Sequence, residues 1–260
     1  MKIERMIVLS SKGNLAAVIH YPEKKTERLA ILCPGYLDSK DYKGVVGLAE
    51  ALSKHGYATV RFDPTGTWES DGTISDYTTT QYLEDIRNIL EHMLRQAGYR
   101  HVLLGGHSRG GQVAFLYAAR DPRISLVLGI MPSSKRTIMD QRYEEWMKNG
   151  FSVSHRDLPN NKDQIKEFRV PVSHLDDHNR YDVIEDMKRI RVPVILVAGE
   201  LDNTCRPEYV RKIYDAANEP KIFVVIPGIG HNYRHNDAEV KIVNDKLLKM
   251  VVESATAKGS

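Results

Sequence analysis

The sequence has little of what defines the specialised classes of protein. It has two cysteines in 260 residues. Cys33 and Cys205 lie far apart and lack metal-ligand spacing, which argues against a disulfide scaffold or a cysteine metal cluster. Neither charge dominates, since 37 Lys and Arg stand against 34 Asp and Glu for a net charge of +3, and no nucleic-acid-binding patch is predicted. The apolar runs fall short of the ~20 residues that a membrane span needs.

The amino-terminal residues lack the pattern of a secretory signal. Residues 1–6 carry mixed charges and no long apolar core, so we expect a cytoplasmic protein with reduced thiols. With 42% hydrophobic and 27% charged residues, the chain has the composition of one ordinary globular domain. Residues 254–260 are small and polar, and we expect a disordered tail there.

What the sequence does contain is a serine flanked by glycines, set between an apolar segment and a helical pattern. Residues 101–104 predict a buried strand, and residues 112–120 predict a helix. Residues 106–110 (GHSRG) lie between them and fit the G-x-S-x-G nucleophile elbow. The glycines leave room for neighbouring backbone at a strained turn, and the helix directs unpaired N–H groups at the serine. We interpret Ser108 as a nucleophile; the alternative is a structural glycine turn.

The rest of the chain alternates between predicted strands and helices after an initial hairpin over residues 5–20. The apolar and helical spacings predict strands at 29–33, 57–62, 101–104, 125–130, 193–198 and 221–226, and helices at 42–54, 77–96, 112–120, 207–217 and 237–252. This order is typical of α/β proteins. It predicts a mostly parallel sheet of about eight strands with helices on both faces.

One segment, residues 132–190, breaks this alternation. It has few apolar strands, many charges and scattered aromatic residues. Its pattern predicts a short helix and two small paired strands, at residues 141–148, 151–155 and 168–174. Because a structureless stretch of this length is uncommon in a compact domain, we predict a small inserted cap, with a core of residues 1–131 and 191–253. The alternative is a surface excursion.

Two residues are candidates to activate the serine. A serine hydroxyl needs a base to take its proton and an acid to orient that base. Asp202 and His231 each follow a predicted parallel strand, so they share the sheet edge at which Ser108 emerges. Glu200 is a rival acid, and Asp202 could instead cap a helix. His235 is a rival base, but it lies among polar residues at a predicted helix start.

The developing negative charge on an attacked carbonyl needs preorganised N–H donors. The backbone N–H of Arg109, directly after the nucleophile, is the first candidate. The second is the N–H of Tyr36, since Gly35 lets the loop after strand 29–33 approach closely; the alternative is an ordinary Pro-Gly turn. His107 is interpreted as a packing residue beneath the elbow.

A different chemistry is conceivable at residues 174–178 (HLDDH), whose two histidines and two aspartates resemble metal ligands. No further ligand set accompanies them, and the segment is polar throughout. We interpret it as a solvated loop of the cap, and no metal site is predicted.

With these residues placed, the chain resembles the α/β-hydrolase serine esterases over essentially its whole length. It is most similar to the small feruloyl (cinnamoyl) esterases and to the related monoacylglycerol-lipase-like and serine-aminopeptidase-like hydrolases. The similarity lies in residues 62–72 (FDPTGTWESDG), 106–111 (GHSRGG), 192–202 (VPVILVAGELD) and 228–231 (GIGH).

The resemblance implies a triad of Ser108, Asp202 and His231. It implies cofactor-free hydrolysis of small-molecule carboxylic esters through an acyl-enzyme, with feruloyl-type esters as one expected class of substrate. The chain departs from the family pattern in Pro34, where a histidine is usual, in Thr67 and Trp68, and in Arg109, where glutamine is usual. A peptidase, thioesterase or lactonase on the same triad, or a non-catalytic small-ligand receptor, are the alternatives. The sequence leaves the oligomeric state open.

The aromatic residues near the predicted site are candidates for substrate binding, because binding pockets are mainly apolar. Trp68 lies in the loop after strand 57–62. The other four lie in the inserted segment and are Tyr143, Trp146, Phe151 and Phe168. The alternative is that they anchor the cap to the sheet.

Overall fold

The structure, a computed structural model, describes residues 1–134 and 143–256. Within these residues the strands are β1 (Lys2–Ser10), β2 (Gly13–Tyr21), β3 (Arg28–Cys33), β4 (Ala58–Phe62), β5 (His101–His107), β6 (Ile124–Ile130), β7 (Phe151–Leu158), β8 (Asn161–Pro171), β9 (Val194–Gly199) and β10 (Lys221–Ile226). The helices are α1 (Lys43–Lys54), α2 (Thr79–Gln96), α3 (Arg109–Ala118), α4 (143–149), α5 (Ser173–His178), α6 (Val183–Met187), α7 (Pro207–Ala216) and α8 (Asp237–Thr256).

Eight of the strands form one sheet in the order β1-β2-β4-β3-β5-β6-β9-β10. β2 pairs antiparallel with β1 and β4, and every other pairing in the sheet is parallel. The prediction of an eight-stranded, mostly parallel sheet is therefore confirmed. All carboxyl ends of the parallel strands meet at one edge, which is where ligands bind in open α/β sheets.

The central strands are mostly apolar, because helices cover both faces of the sheet and bury their side chains. In β3, Leu29, Ala30 and Ile31 are all 0% exposed, as expected for a strand buried on both faces. Around the sheet, α1 packs on α8, and α2 packs on α3. No helix among the described residues is long and apolar enough to cross a bilayer.

The segment that breaks the alternation contains its own small sheet. β7 and β8 pair antiparallel, with Phe151 opposite Pro171 and Ser154 opposite Phe168, which confirms the predicted pairing. The strand predicted up to residue 174 is wrong at its end, because α5 begins at Ser173. The interpretation of residues 174–178 as a solvated loop is also wrong. His174 and His178 are buried, and the Nδ1 of His174 bonds the carbonyl of Tyr77 at 2.7 Å.

The last helix extends further than its sequence pattern predicted. α8 continues to Thr256, four residues beyond the predicted end at 252. It therefore enters the segment 254–260 that was expected to be a disordered tail, and residues 257–260 lie outside the described part of the chain.

A buried histidine on β2 makes the stability of the fold depend on pH. His20 is 0% exposed, and its Nε2 accepts a hydrogen bond from Nε of Arg61 at 3.0 Å. Burial, together with the Arg61 charge, lowers the pKa of His20 to about 4. Between that value and the unfolded value of ~6.5 the unfolded chain binds more protons, so stability falls as pH falls through this window.

We expect the free energy of unfolding to decrease between pH 7 and pH 4.5, and to decrease less in His20→Gln, which keeps an acceptor for Arg61 but cannot titrate. Urea unfolding at both pH values measures the difference. His55→Gln, a change at the exposed end of α1, should keep the wild-type dependence. Equal pH dependence in the wild type and His20→Gln would contradict this account.

Candidate active site

Ser108 lies at the junction of β5 and α3, at the carboxyl edge of the sheet. Its backbone has φ 53 and ψ −118, a left-handed conformation that is strained for a residue with a Cβ. The surrounding structure holds it there, since the Ser108 N–H donates to the carbonyl of Ile130 at 2.9 Å. Strain of this kind is typical of functional sites and lifts the hydroxyl above the sheet edge.

The glycines of the elbow are required by the close approach of β3. A Cβ on Gly106 would lie 2.4 Å from the carbonyl oxygen of Cys33, and one on Gly110 would lie 2.0 Å from the same atom. Neither neighbour is a flexible side chain that could move aside. The small residues therefore let α3 and β3 close around the nucleophile.

Gly110→Ala is expected to destabilise the protein by at least about 2 kcal/mol, although alanine is the better helix former by about 1 kcal/mol. The cause is the clash with the Cys33 carbonyl. Thermal and urea unfolding measure the loss. Gly98→Ala is the matched control, because an added Cβ at Gly98 meets nothing within 4 Å. Equal stability of the two variants would show that the elbow tolerates side chains.

A chain of hydrogen bonds connects Ser108 to two residues from other strand ends. The Oγ of Ser108 lies 3.1 Å from Nε2 of His231, and Nδ1 of His231 lies 2.8 Å from Oδ2 of Asp202. Asp202 follows β9 and His231 follows β10. Since a carboxylate can only accept, Nδ1 carries the imidazole proton, which leaves Nε2 to accept from the serine hydroxyl.

Asp202 is held in its charged form. Its burial raises the pKa of the carboxyl, but the hydrogen bond from His231 and the backbone N–H groups of Cys205 and Thr204 outweigh burial and lower the pKa below its ordinary value. Those two N–H groups donate to Oδ1 at 2.7 and 2.8 Å. The carboxylate is thus fixed in place and can stabilise a positive charge on the imidazole.

The rival residues occupy other positions. The carboxylate of Glu200 accepts a hydrogen bond from the backbone N–H of Gly228 at 2.8 Å. This contact stabilises the loop that carries His231. Nδ1 of His235 lies 3.9 Å from Oδ2 of Asp157. The structure thus brings Asp202 and His231 to Ser108, and places Glu200 and His235 outside this chain of hydrogen bonds.

The two residues expected to donate N–H groups to the oxyanion line the same cavity as Ser108. Arg109 is the first residue of α3, where backbone N–H groups have no partner within the helix. Tyr36 lies in the loop after β3 and lines the same cavity. The guanidinium of Arg156, from β7, donates to the carbonyl of Tyr36 at 2.9 Å, and the N–H of Leu37 donates to the hydroxyl of Tyr77 at 3.1 Å. These contacts fix the loop.

Above Ser108 is a cavity of about 560 Å³. Of the five aromatic residues predicted to bind substrate, Trp146 is among the described residues that line it. Its Nε1 donates to the carbonyl of Val170 at 2.9 Å.

The other four aromatic residues are not among the described residues that line the cavity. Trp68 and Phe168 pack edge to face, with ring centroids 5.6 Å apart, and join the loop after β4 to β8. Phe151 lies half-buried beneath Arg169, and Tyr143 is exposed on α4. The contacts of Trp68, Phe168 and Phe151 are packing contacts. They favour the alternative that such residues anchor the inserted segment.

Sequence reasoning missed a charged network beside the triad. His107, expected to pack beneath the turn, lines the cavity, and its ring centroid is 4.7 Å from that of His231. Its Nδ1 lies 3.7 Å from Oδ2 of Asp38. Burial lowers the pKa of His107, against the opposing effect of Asp38. The signal available in the sequence was the position of His107 inside the elbow.

Asp202, Cys205 and His231 offer ligand atoms within 4.8 Å of one another, and they are the candidate metal-binding group within the described residues. Two of the three are already joined by the 2.8 Å hydrogen bond between Nδ1 of His231 and Oδ2 of Asp202. A cation there would have to displace the proton that orients His231, so the group fits a proton relay better than a metal site.

Comparison with known proteins agrees with this architecture. A family model described as alpha/beta hydrolase fold matches residues 31–148. The mitochondrial palmitoyl-protein thioesterase ABHD10 of Mus musculus is 21% identical over 220 residues, which are 82% of this chain and 71% of that protein.

Among solved structures, Est1E from Butyrivibrio proteoclasticus with bound ferulic acid superposes with a TM-score of 0.78 at 21% identity, covering 96% of this chain and 99% of that one. Mouse alpha/beta hydrolase domain-containing protein 10 gives a TM-score of 0.75 at 19% identity, with the same coverage. At these identities the structural likeness establishes the fold.

Proposed function

We propose that this member of the α/β-hydrolase superfamily is a serine hydrolase that cleaves carboxylic esters through an acyl-enzyme on Ser108. The observation that carries the proposal is the continuous hydrogen-bonded series from Ser108 through His231 to Asp202. A serine with this base and this buried carboxylate is equipped for nucleophilic acyl transfer. A receptor that only binds its ligand would not need the series.

The geometry gives each residue a role in two half-reactions. Ser108 Oγ attacks the ester carbonyl while His231 Nε2 takes its proton, and the N–H groups of Arg109 and Tyr36 bind the oxyanion. His231 then gives the proton to the departing alcohol, which leaves the acyl group on Ser108. A water molecule, deprotonated by His231, attacks this ester and releases the acid. Asp202 stabilises the imidazolium in both halves.

We further propose that residues 132–190 act as a cap over the site. In its described part, the β7–β8 hairpin supplies cavity-lining residues at positions 155, 156, 157, 162 and 165, and α4 supplies Trp146. Binding energy from such a segment, remote from the reacting atoms, is a source of specificity.

Thioester hydrolysis is the second candidate, because the relatives include a palmitoyl-protein thioesterase. The acyl-enzyme would be the same, and a thiolate needs less help than an alkoxide to leave. Feruloyl specificity is supported by the structural likeness to Est1E alone, and a cytoplasmic location is a prediction from the sequence.

The test is a substrate panel with one acyl group on different leaving groups: an aryl ester, an alkyl ester, a thioester and an anilide. We expect the esters or the thioester to be hydrolysed and the anilide to react slowest. Preference for the anilide would make the protein a peptidase. Saturable binding without turnover of any member would favour the receptor.

A further inference from the structure

Six of the seventeen described residues that line the cavity above Ser108 carry a charged side chain. Its aromatic and aliphatic residues, apart from the histidines, are Tyr36, Trp146 and Ile165. The charged side chains that line it are four cations and two carboxylates: Arg109, Arg156, Lys162, Arg234, Asp38 and Asp157. With the histidines neutral, the described wall carries an excess of positive charge.

Two of the arginines are balanced by the two carboxylates. Nη2 of Arg234 lies 3.3 Å from Oδ1 of Asp157 and 3.8 Å from Oδ1 of Asp38. Nε of Arg156 lies 3.7 Å from the same atom of Asp38. Burial opposes a charge on Asp38, but the Arg234 and Arg156 charges and His107 outweigh it and lower the pKa of Asp38. This part of the wall is internally neutral.

Lys162 and Arg109 have no ion pair within 4.0 Å among the described residues, although the Lys162 charge lies close enough to Asp237 to lower the pKa of that carboxyl. Nζ of Lys162, at the exposed edge of the cavity on β8, has a hydrogen bond of 3.4 Å to the carbonyl of His235. Arg109 is 1% exposed, and its Nη2 donates to the hydroxyl of Thr79 at 3.2 Å. Its Nε and Nη1 are buried with no hydrogen-bond partner in the described structure. The guanidinium lies 5.2 Å from the centre of the Tyr77 ring, a cation–π contact that only partly offsets the cost of burying a charge without a counter-ion.

We infer that the substrate hydrolysed at Ser108 carries an anionic group, a carboxylate or a phosphate, which Lys162 contacts at the cavity edge and which the Arg109 charge attracts from within. This inference rests on the proposed function. A cleft with one sign of charge and a low-dielectric wall concentrates ligands of the opposite sign.

The experiment compares esters that differ in charge and little else. On the acyl side, the 4-methylumbelliferyl half-ester of adipic acid is compared with the neutral hexanoate and the cationic 6-aminohexanoate; a phosphonate-ended acyl ester separates phosphate from carboxylate preference. On the leaving-group side, 3-carboxyphenyl acetate is compared with 3-carbamoylphenyl acetate. In at least one of the two arms we expect kcat/KM to be about tenfold higher for the anion than for its neutral partner at low salt. The advantage should shrink in 0.5 M NaCl, at which the Debye length falls to about 4 Å.

Lys162→Gln and Lys162→Glu test the assignment of the residue. We expect the ratio of kcat/KM for the anionic ester to that for the neutral ester to fall at least about threefold, and further in the charge reversal. Lys148→Gln, the same change on exposed α4 outside the cavity wall, should leave the ratio at the wild-type value. An unchanged ratio in Lys162→Glu would overturn the role of Lys162.

Neutral or cationic esters that react as fast as anionic ones in both arms would overturn the inference and leave the proposed function standing. Hydrolysis of no ester of any charge would overturn the proposed function and, with it, this inference.

Discussion

Replacing Ser108 by alanine is expected to lower kcat for ester hydrolysis on the order of 10⁶-fold, the scale found when a serine nucleophile is removed from a triad. The alanine side chain has no atom that can form the acyl bond, and His231 and Asp202 then have no proton to move. Residual turnover should come from the oxyanion donors and substrate binding alone. Steady-state kinetics with an aryl ester measure the loss.

The fold should survive this change, because the Ser108 side chain is hydrogen-bonded to His231 and contributes no apolar surface to the core. Ser53→Ala is the matched control, since Ser53 is also buried and its hydroxyl has no hydrogen-bond partner in the described structure. The control should keep wild-type kcat. Near-wild-type activity of Ser108→Ala would show that the nucleophile lies elsewhere.

His231→Ala is expected to be as damaging as the loss of the serine, because members of a triad act as a unit. Asp202→Asn should lower kcat on the order of 10⁴-fold, since an amide can donate to Nδ1 and so stabilise the wrong imidazole tautomer. KM should change far less in both variants, because neither residue is required to hold the ground state. Kinetics over a range of substrate concentration separate the two effects.

His235→Ala is the control for the base, as this histidine lies four residues further along the chain and also lines the cavity. Its contact is with Asp157, and its loss should cost no more than about tenfold. High activity in His231→Ala together with a large loss in His235→Ala would transfer the role of base to His235.

The sequence allowed the sheet and the position of its catalytic edge to be predicted because both depend on local patterns. Apolar runs bounded by turns predict buried strands, and the ends of parallel strands must share an edge. Asp202 and His231 could therefore be placed near Ser108 although they lie 94 and 123 positions away along the chain. The spacing of the elbow glycines carried the same kind of information, because only a residue without a Cβ fits against Cys33.

The wall of the cavity could not be predicted in this way. It depends on the angle at which the β7–β8 hairpin docks, and no local pattern encodes that angle. Trp68 and Phe168 meet only because the loop after β4 packs on β8, so their aromatic character predicted binding where the structure uses packing. Lys162 and Arg156 resemble ordinary surface charges in the sequence, and their position in the cavity wall is a result of tertiary structure.

Covalent labelling is the sharpest test of whether Ser108 is the activated nucleophile. The intact protein would be treated with a fluorophosphonate, which phosphonylates serines activated as nucleophiles, and the adduct would be located by peptide mass spectrometry. We expect one adduct on Ser108, formed rapidly in the wild type and Ser53→Ala, slowly in His231→Ala and not at all in Ser108→Ala. An adduct on another serine, or a folded wild type that resists labelling altogether, would contradict it.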